Sequence, residues 1–381
     1  MVKSKVALVR CTEYDDDQVY DAVVRGMDLI GGVSCYVKPG EKIVLKPNVL
    51  WGSEPEKCVT THPAVFKAVG RLLQEAGAQL TYGDSPGFGK TALHMQRTGL
   101  KKAADELGIA SADFDSGEVT VHKSGLLNKR FVIAHGILAA DGVVSLPKLK
   151  THGLTRLTGA IKNQFGCIPG TFKGQFHLKM PDPYDFATML VDLNSLIRPR
   201  LFIMDGVIAM EGNGPRNGNP RRLNALLFSS DPVALDAIAC RIIDLNPEFV
   251  PTSKPGEKAG LGTYRYDEIE IAGDDIETFI TRDFDVTRRP PVPAASGRIR
   301  TFLKNRVTPR PVIDKTKCTR CGVCFKVCPV NPKAIEYDPD DKSKFPQHKY
   351  DRCIRCYCCQ ELCPEGAISV KNTFLGSVIS R

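Results

Sequence analysis

Cys318-Thr-Arg-Cys321-Gly-Val-Cys324-Phe-Lys-Val-Cys328-Pro329 and Cys353-Ile-Arg-Cys356-Tyr-Cys-Cys359-Gln-Glu-Leu-Cys363-Pro364 are one pattern, C-x2-C-x2-C-x3-C-P, written twice. Two residues between thiolates let a tight loop wrap three corners of a cubane, and the proline then turns the chain away. In runs of this kind the fourth cysteine crosses to the other cluster. The spacing therefore predicts two [4Fe–4S] clusters. Cys318, Cys321, Cys324 and Cys363 would hold one, and Cys353, Cys356, Cys359 and Cys328 the other. Disulfides would need an oxidising compartment, and the N-terminus runs without a secretory leader into the strand-like Val6-Ala-Leu-Val9. Zinc would use pairs of C-x2-C rather than two four-cysteine runs. Cys358, beside a ligand, reads as a packed or idle thiol because the register is complete without it.

The segment resembles the bacterial two-[4Fe–4S] ferredoxin domain over about the last 70 residues. That resemblance implies a small α+β electron-transfer fold. The 24 residues between Cys328 and Cys353 are long for it and read as a surface loop through Asp338 to Lys349.

A chain of 381 residues exceeds one ferredoxin and suffices for two or three domains. No apolar run reaches the roughly 20 residues of a membrane span, so no membrane association is expected. Thiolate ligands suit a reducing cytoplasm. Of the net charge of +9, residues 287–381 carry 19 Lys/Arg against 8 Asp/Glu. The basic part is thus the C-terminal quarter. No nucleic-acid motif accompanies it, so nucleic acid is disfavoured as a partner. A docking face for an acidic, low-potential redox donor or acceptor protein fits better.

Upstream, strands and helices alternate. Val6–Val9, Ile43–Leu45, Leu80–Tyr82, Val143–Leu146 and Leu201–Met204 read as strands. Asp15-Asp-Asp17 caps a helix to about Ile30, Thr60 or Thr61 caps one begun by Pro63, a third helix runs from about Thr91 to Leu107, and Asp231-Pro232 opens another. This predicts an α/β fold with a mainly parallel sheet flanked by helices. The expected division is an α/β domain with a substrate pocket at 1–286, a basic Pro-rich linker at 287–312 with a short helix around Arg300–Asn305, and the ferredoxin domain at 313–381.

Sites in such folds lie outside the carboxyl ends of the strands. Four polar stretches come directly after strands here: Lys46-Pro-Asn48, Gly83-Asp84-Ser85, Pro147-Lys148-Leu-Lys150-Thr-His152, and Asp205 through Glu211 to Pro215. In extended chain Lys148 and Lys150 point the same way and, with Lys162 and Asn163, suit a small anionic substrate. His152 is a candidate proton donor. Gly212, Gly214 and Gly218 could form an anion nest, with Glu211 as a base or cation ligand. Cys167 is a candidate nucleophile or proton donor, although such cysteines are more often packed core. Asp84-Ser-Pro-Gly-Phe-Gly-Lys-Thr91 matches a phosphate loop in its second half only, with Asp84 where the first glycine belongs and Pro86 removing an amide. ATP is disfavoured. No GxGxxG comes after a strand, so the sequence supports neither NAD nor flavin.

Lys46-Pro-Asn48, Thr61-His-Pro63, Gly83-Asp-Ser85, Lys148-x-Lys-Thr-His152, Lys162-Asn163, Asp205–Pro215 and Asp231-Pro-Val-Ala-Leu-Asp236 together resemble the DUF362 family of iron–sulfur proteins over nearly the whole chain. Fusion to a C-terminal two-cluster ferredoxin is a common arrangement in that family. The resemblance implies the architecture and leaves the reaction open. The expectation is an iron–sulfur electron-transfer protein acting as an oxidoreductase, in which electrons pass to an organic anion held by Lys46, Asn48, Asp84, Ser85, Lys148, Lys150, Lys162 and Asn163. A non-catalytic electron or cluster carrier with a partner-docking domain is the alternative.

Overall fold

The computed structural model describes residues 3–373 except 88, 171, 294–304, 339 and 342. In chain order its strands are β1 (Ser4–Arg10), β2 (Lys42–Pro47), β3 (Gln79–Tyr82), β4 (Ala110–Ser111), β5 (Gly117–Val121), β6 (Arg130–Ala134), β7 (Gly142–Leu146), β8 (Lys148–His152), β9 (Arg156–Thr158), β10 (Leu201–Glu211), β11 (Asn219–Ser229), β12 (Ile269–Gly273), β13 (Arg310–Ile313), β14 (Ile335–Glu336), β15 (Gln347–His348) and β16 (Ile368–Lys371). The helices that bear on the core and the site are α1 (Asp16–Leu29), α2 (Pro63–Glu75), α3 (Thr91–Arg97), α4 (Leu100–Glu106), α5 (His135–Leu138), α6 (Ala160–Asn163), α7 (Phe172–Lys179), α8 (Pro183–Ile197) and α9 (Pro232–Ile242).

Ten strands form one sheet in the order β12-β1-β11-β10-β7-β2-β3-β4, with β8 on β10 and β9 on β8. Within it, among the described residues, only β11 against β1 and β10, and β9 against β8, are antiparallel. The expected mainly parallel α/β sheet is therefore what forms. Strand alternation builds the layers. Ile43 and Leu45 of β2 enter the core under α1, α2 and α4, while Val44 between them enters the core under α8.

Several boundaries reflect local chemistry. Asp15 caps α1 by accepting the Gln18 N–H at 3.0 Å, as its position before an amphipathic run predicts. The cap of α2 is His62, whose Nδ1 accepts the Ala64 N–H, and neither Thr60 nor Thr61. Thr61 is unavailable because its hydroxyl donates to the Leu146 carbonyl at 2.5 Å and accepts the Asn48 N–H at 2.8 Å. The helix expected from Thr91 to Leu107 breaks into α3 and α4 at Gly99, whose φ of 76° only glycine adopts cheaply. β10 runs on to Glu211 instead of ending at Met204, so the polar stretch after Asp205 is strand first and hairpin tip second.

At the C-terminus, β13 pairs antiparallel with β16, and β14 with β15. Arg310–Val312, read from sequence as linker, thus belong to the first strand of the small domain. The helix expected around Arg300–Asn305 lies outside the described residues apart from Asn305, whose side chain accepts from Arg355 at 2.7 Å.

Asp236 on α9 stands beneath the start of α6, where it accepts the Ala160 and Ile161 N–H groups at 2.6 and 3.3 Å. Burial pushes its carboxyl up to about 7, against the two hydrogen bonds that pull it down. The folded value lies above the unfolded one, so folding favours the protonated form. The associated stability is full below about pH 4 and is lost as pH rises through about 7. Asp236→Asn removes that loss. In thermal unfolding its midpoint should rise relative to the parent at about pH 8 and the gap should narrow at about pH 5.5. A gap independent of pH would show that Asp236 does not titrate there.

Candidate functional site

The two cysteine runs meet because Val323–Lys326 and Cys358–Glu361, each a single helical turn, pack against one another. Cys324 stands within electrostatic reach of Cys321, Cys318 and Cys363, and Cys359 within reach of Cys356, Cys353, Cys324 and Cys328. The two runs thus lie side by side, with cysteines of each among the neighbours of the other, although among the described residues no three of these thiols stand in metal-holding geometry. All 14 cysteines are unbridged. Burial, with the neighbouring thiols adding to it, pushes the Cys324 thiol up to about 12. A set of soft cysteine thiols is the donor chemistry that an iron–sulfur core takes.

The Gly212–Gly218 segment is the tip of the β10–β11 hairpin, and it docks the cysteine-rich domain instead of nesting an anion. Arg216 donates to the Leu362 carbonyl at 2.9 Å and Asn217 to the Cys363 carbonyl at 3.2 Å. Gln360 donates to Asn213 Oδ1 at 2.8 Å and to the Gly214 carbonyl at 3.1 Å. The Arg216 guanidinium also lies 4.2 Å over the Trp51 ring. Gly214 is required by close approach, since a Cβ there would stand 2.4 Å from the Thr151 carbonyl oxygen. Glu211 is spent within the large domain: it accepts the Asp285 N–H at 3.0 Å and lies 4.0 Å from Arg221. The role expected of Glu211 as base or cation ligand is corrected accordingly.

Between the hairpin tip, the sheet edge and the cysteine runs lies a cavity of about 430 Å³. This is within the roughly 300–1,000 Å³ of small-molecule sites. Its lining includes Cys328, Pro329, Cys358 and Leu362 from the cysteine-rich domain and Lys150, Lys162 and Lys173 from the large domain. β2, β3 and β7 run parallel, so their carboxyl ends share an edge. That edge organises the floor. Lys46 pairs with Asp84 at 2.8 Å, and the other Asp84 oxygen accepts the Val49 N–H at 2.5 Å. Asn163 spends its amide hydrogens on the Ser145 hydroxyl and the Lys46 carbonyl, so its Oδ1 accepts from Asn48 at 3.0 Å. Ser85 accepts from Lys173 at 2.7 Å. Of the residues expected to bind substrate, Asn48, Asp84, Ser85, Lys150, Lys162 and Asn163 line this cavity. Lys46 stands behind Asp84.

Lys148 is elsewhere. Its ammonium pairs with Asp205 and donates to the Tyr14 hydroxyl, both at 2.8 Å. Lys148 and Lys150 do not share a target, because the Asp205 carboxylate takes the Lys148 ammonium while Lys150 donates to the Val59 carbonyl at 2.5 Å. Cys167 is corrected as well. It is fully buried and outside the cavity lining, and burial pushes its thiol up to about 12, so the thiol stands as packed core. His152 sits one layer back. Its Nδ1 accepts the Leu154 and Thr155 N–H groups, so the neutral ring carries its proton on Nε2, 3.1 Å from Glu361 Oε1. Burial, then Lys162, holds His152 down to about 4. Burial alone would raise the Glu361 carboxyl, but His152, Lys162 and His177 outweigh it and hold Glu361 near 2. Burial also draws Lys173 down to about 7 and Lys150 well below the usual lysine range.

Lys173, His177, Thr158 and Glu361 line the cavity and escaped the reading of the sequence. Glu361 was concealed inside the second cysteine run. Lys173 and His177 lie on α7, whose residues carry no motif. The phosphate-loop match ends the same way: Asp84 is an ion-paired acceptor, and Thr91 bonds to Asp115.

Residues 43–241 match the model of DUF362, a domain of unknown function, and residues 310–364 match a 4Fe-4S dicluster domain. A thylakoid-associated protein of Synechocystis is 37% identical over 262 residues, covering 68% of this chain and 81% of that protein. Subunit I of an NAD(P)H-quinone oxidoreductase from Gloeobacter violaceus is 29% identical over 103 residues, or 26% of this chain and 49% of its own length. Among solved structures, the lactate racemase apoprotein of Thermoanaerobacterium thermosaccharolyticum aligns with a TM-score of 0.41 and 11% identity over 63% of this chain and 56% of its own. No described helix is long and apolar enough to cross a membrane.

Proposed function

For a chain that belongs to the DUF362 family and closes with a 4Fe-4S dicluster domain, we propose a reductase that passes electrons to a small organic anion bound between its two domains. One observation carries this reading: Cys328, a member of one cysteine foursome, shares a cavity with Lys150, Lys162 and Lys173. Bound [4Fe–4S] clusters supply electrons one at a time, at potentials anywhere from about −700 to +450 mV. The chain's own residues supply the rest. The lysines hold the anion, and Val49, Leu50, Phe165 and Leu362 exclude water from it. Glu361, with the His152 Nε2–H behind it, stands at the wall to relay a proton. The hairpin tip keeps the domains in register and raises the effective concentration of one at the other. A low-potential redox protein would deliver electrons to the basic C-terminal quarter, in a cytoplasm that keeps the thiols reduced.

The test is anaerobic. Dithionite-reduced protein is mixed with unsaturated carboxylates and thioesters while cluster absorbance is monitored. At least one should reoxidise the protein, and Lys162→Met should slow that step about 100-fold without changing the spectrum, the scale set by removal of one charge-stabilising donor. Parental rates in the variant would move the site elsewhere. If no small molecule reoxidises the protein while a redox protein does, the chain is an electron carrier with a docking domain. The exposed Cys321 would suit that reading.

A further inference from the structure

Three lysines face the interior of the cavity between the domains, and the protein bonds no carboxylate to any of them among the described residues. Of its carboxylates, Asp84 is already paired with Lys46 at 2.8 Å. Glu361 is the other acid that faces the interior lysines. Against it stand three lysines, none of which has a carboxylate hydrogen-bond partner among the described residues, and an anion entering beside them would favour the charged form that burial opposes. Lys150, 1% exposed, donates to the Val59 carbonyl. Lys173, 8% exposed, donates to the Ser85 hydroxyl and the Pro86 carbonyl. Lys162 lies over the Phe165 ring at 5.6 Å. Burying cations without counter-charge is costly unless something anionic enters with them.

The lysines also stand apart. Lys150 comes from β8 and Lys162 from α6; Lys162 is the charge that weighs most on Lys150, and Glu361 the one that weighs most on Lys162. Lys173 comes from α7 and answers chiefly to Asp84 and Lys46, with Lys162 a weaker neighbour. Lys150 and Lys173 are held at separate anchors, the Val59 carbonyl at 2.5 Å and the Ser85 hydroxyl at 2.7 Å, which defines two poles, Lys150 with Lys162 at one and Lys173 with Ser85 at the other. Independently, buried polar atoms without a hydrogen-bond partner line the cavity: Asn48 Oδ1, Thr158 Oγ1, His177 Nδ1 and Glu361 Oε1, the last 3.1 Å from His152 Nε2. Such orphans are rare in folded proteins and mark a missing ligand. The Thr158 hydroxyl can donate to a carboxylate oxygen. Asn48 Oδ1, held as an acceptor by the Asn163 network, suits a protonated carboxyl or a hydroxyl.

We infer that the cavity takes a small organic dicarboxylate, with one carboxylate at the Lys150–Lys162 pole, the other at Lys173 and Ser85, and the carbon chain between them against the apolar wall. The inference rests on the cavity being the substrate site of the proposed reductase. A phosphate ester concentrates its charge at one point and leaves one pole unserved. Among the described residues the cavity lining also includes no arginine to grip a phosphate bidentately.

The test is equilibrium binding to the oxidised, cluster-loaded full chain, measured calorimetrically without any electron donor. It therefore reports on the ligand class whether or not the protein turns out to be a reductase. The probes are fumarate, trans-glutaconate and trans,trans-muconate, which separate two carboxylates progressively, with crotonate and sorbate as single-carboxylate counterparts and phenyl phosphate as the phosphate arm. At least one dicarboxylate should bind about tenfold or more tighter than its monocarboxylate counterpart. Lys173→Met should reduce it to the monocarboxylate level, and Lys173→Arg should retain most of the difference. Should Lys173→Met fail to fold, the ratio in the parent decides alone. Equal affinity for mono- and dicarboxylates, a preference for phenyl phosphate, or no binding by any probe overturns the inference, and none of these depends on electron transfer.

Discussion

Replacing Cys328 by serine is expected to halve the iron, from about eight to about four per chain, and to remove the cluster of the second run and not that of the first. Cys328 lies in the first run by sequence, yet with Cys356, Cys353 and Cys324 it is among the thiols that weigh on Cys359, and the spacing rule gives it to the cluster of the second run. Cys363, from the second run, stands with Cys318, Cys321 and Cys324. The converse substitution, Cys363→Ser, should therefore cost the other cluster. Iron and sulfide analysis with electron paramagnetic resonance of the reduced protein separates the two. Full iron in Cys328→Ser would sink the assignment, and loss of the same cluster in both variants would sink the crossover. Because the Cys363 carbonyl accepts from Asn217 and that of Leu362 from Arg216, loss of the cluster near Cys363 should also loosen the seam between the domains. Cys363→Ser is then the variant in which proteolysis at the hairpin tip should accelerate.

Lys148→Met should destabilise the large domain by about 3–5 kcal/mol, the usual cost of leaving one member of a buried ion pair unpaired. Lys148 and Asp205 have side chains 1% and 0% exposed and lie 2.8 Å apart. Asp205 would keep the Tyr14 hydroxyl and the His62 N–H, at 2.8 and 2.9 Å, which places the effect toward the lower end of that range. Adding Asp205→Asn removes the stranded charge and should recover much of the loss. The change is read from the chemical unfolding midpoint of the large domain. A loss under about 1 kcal/mol would mean that Lys148 is not charged in the folded protein or that water reaches the pair. Protein that survives as Lys148→Met should bind the dicarboxylate probes as the parent does, because Lys148 is absent from the cavity lining. Lys162→Met should fold well and bind poorly. The two lysines looked equivalent in the chain, and this contrast separates a structural cation from a ligand-facing one.

The floor of the cavity was readable for a definite reason. Lys46-Pro-Asn48 and Gly83-Asp84-Ser85 each come directly after a strand of a parallel sheet, and parallel strands deliver the residues at their carboxyl ends to one edge. Asp205 through Pro215 deceived for an equally definite one. Glycines and polar residues after a short apolar run suggest a binding loop, but β10 continues for 11 residues and puts the glycines at a docking tip. Lys148 and Lys150 illustrate the limit of local geometry. Alternation in a strand puts them on one face, but Asp205 claims Lys148 while Lys150 ends at the Val59 carbonyl.

From sequence alone, then, came whatever is encoded within a few residues: the cysteine spacing, the capped helices, the β–α alternation and the basic C-terminal quarter. These are settled by local covalent reach and by the period of burial, which neighbours along the chain share. The tertiary structure alone decided which charges are compensated. Lys46 meets Asp84 across 38 positions, Lys148 meets Asp205 across 57, and Glu361 reaches the large-domain core beside His152 from the other domain. Whether a lysine ends as a strut or faces a ligand depends on the partner it finds once desolvated, and that partner is distant in sequence.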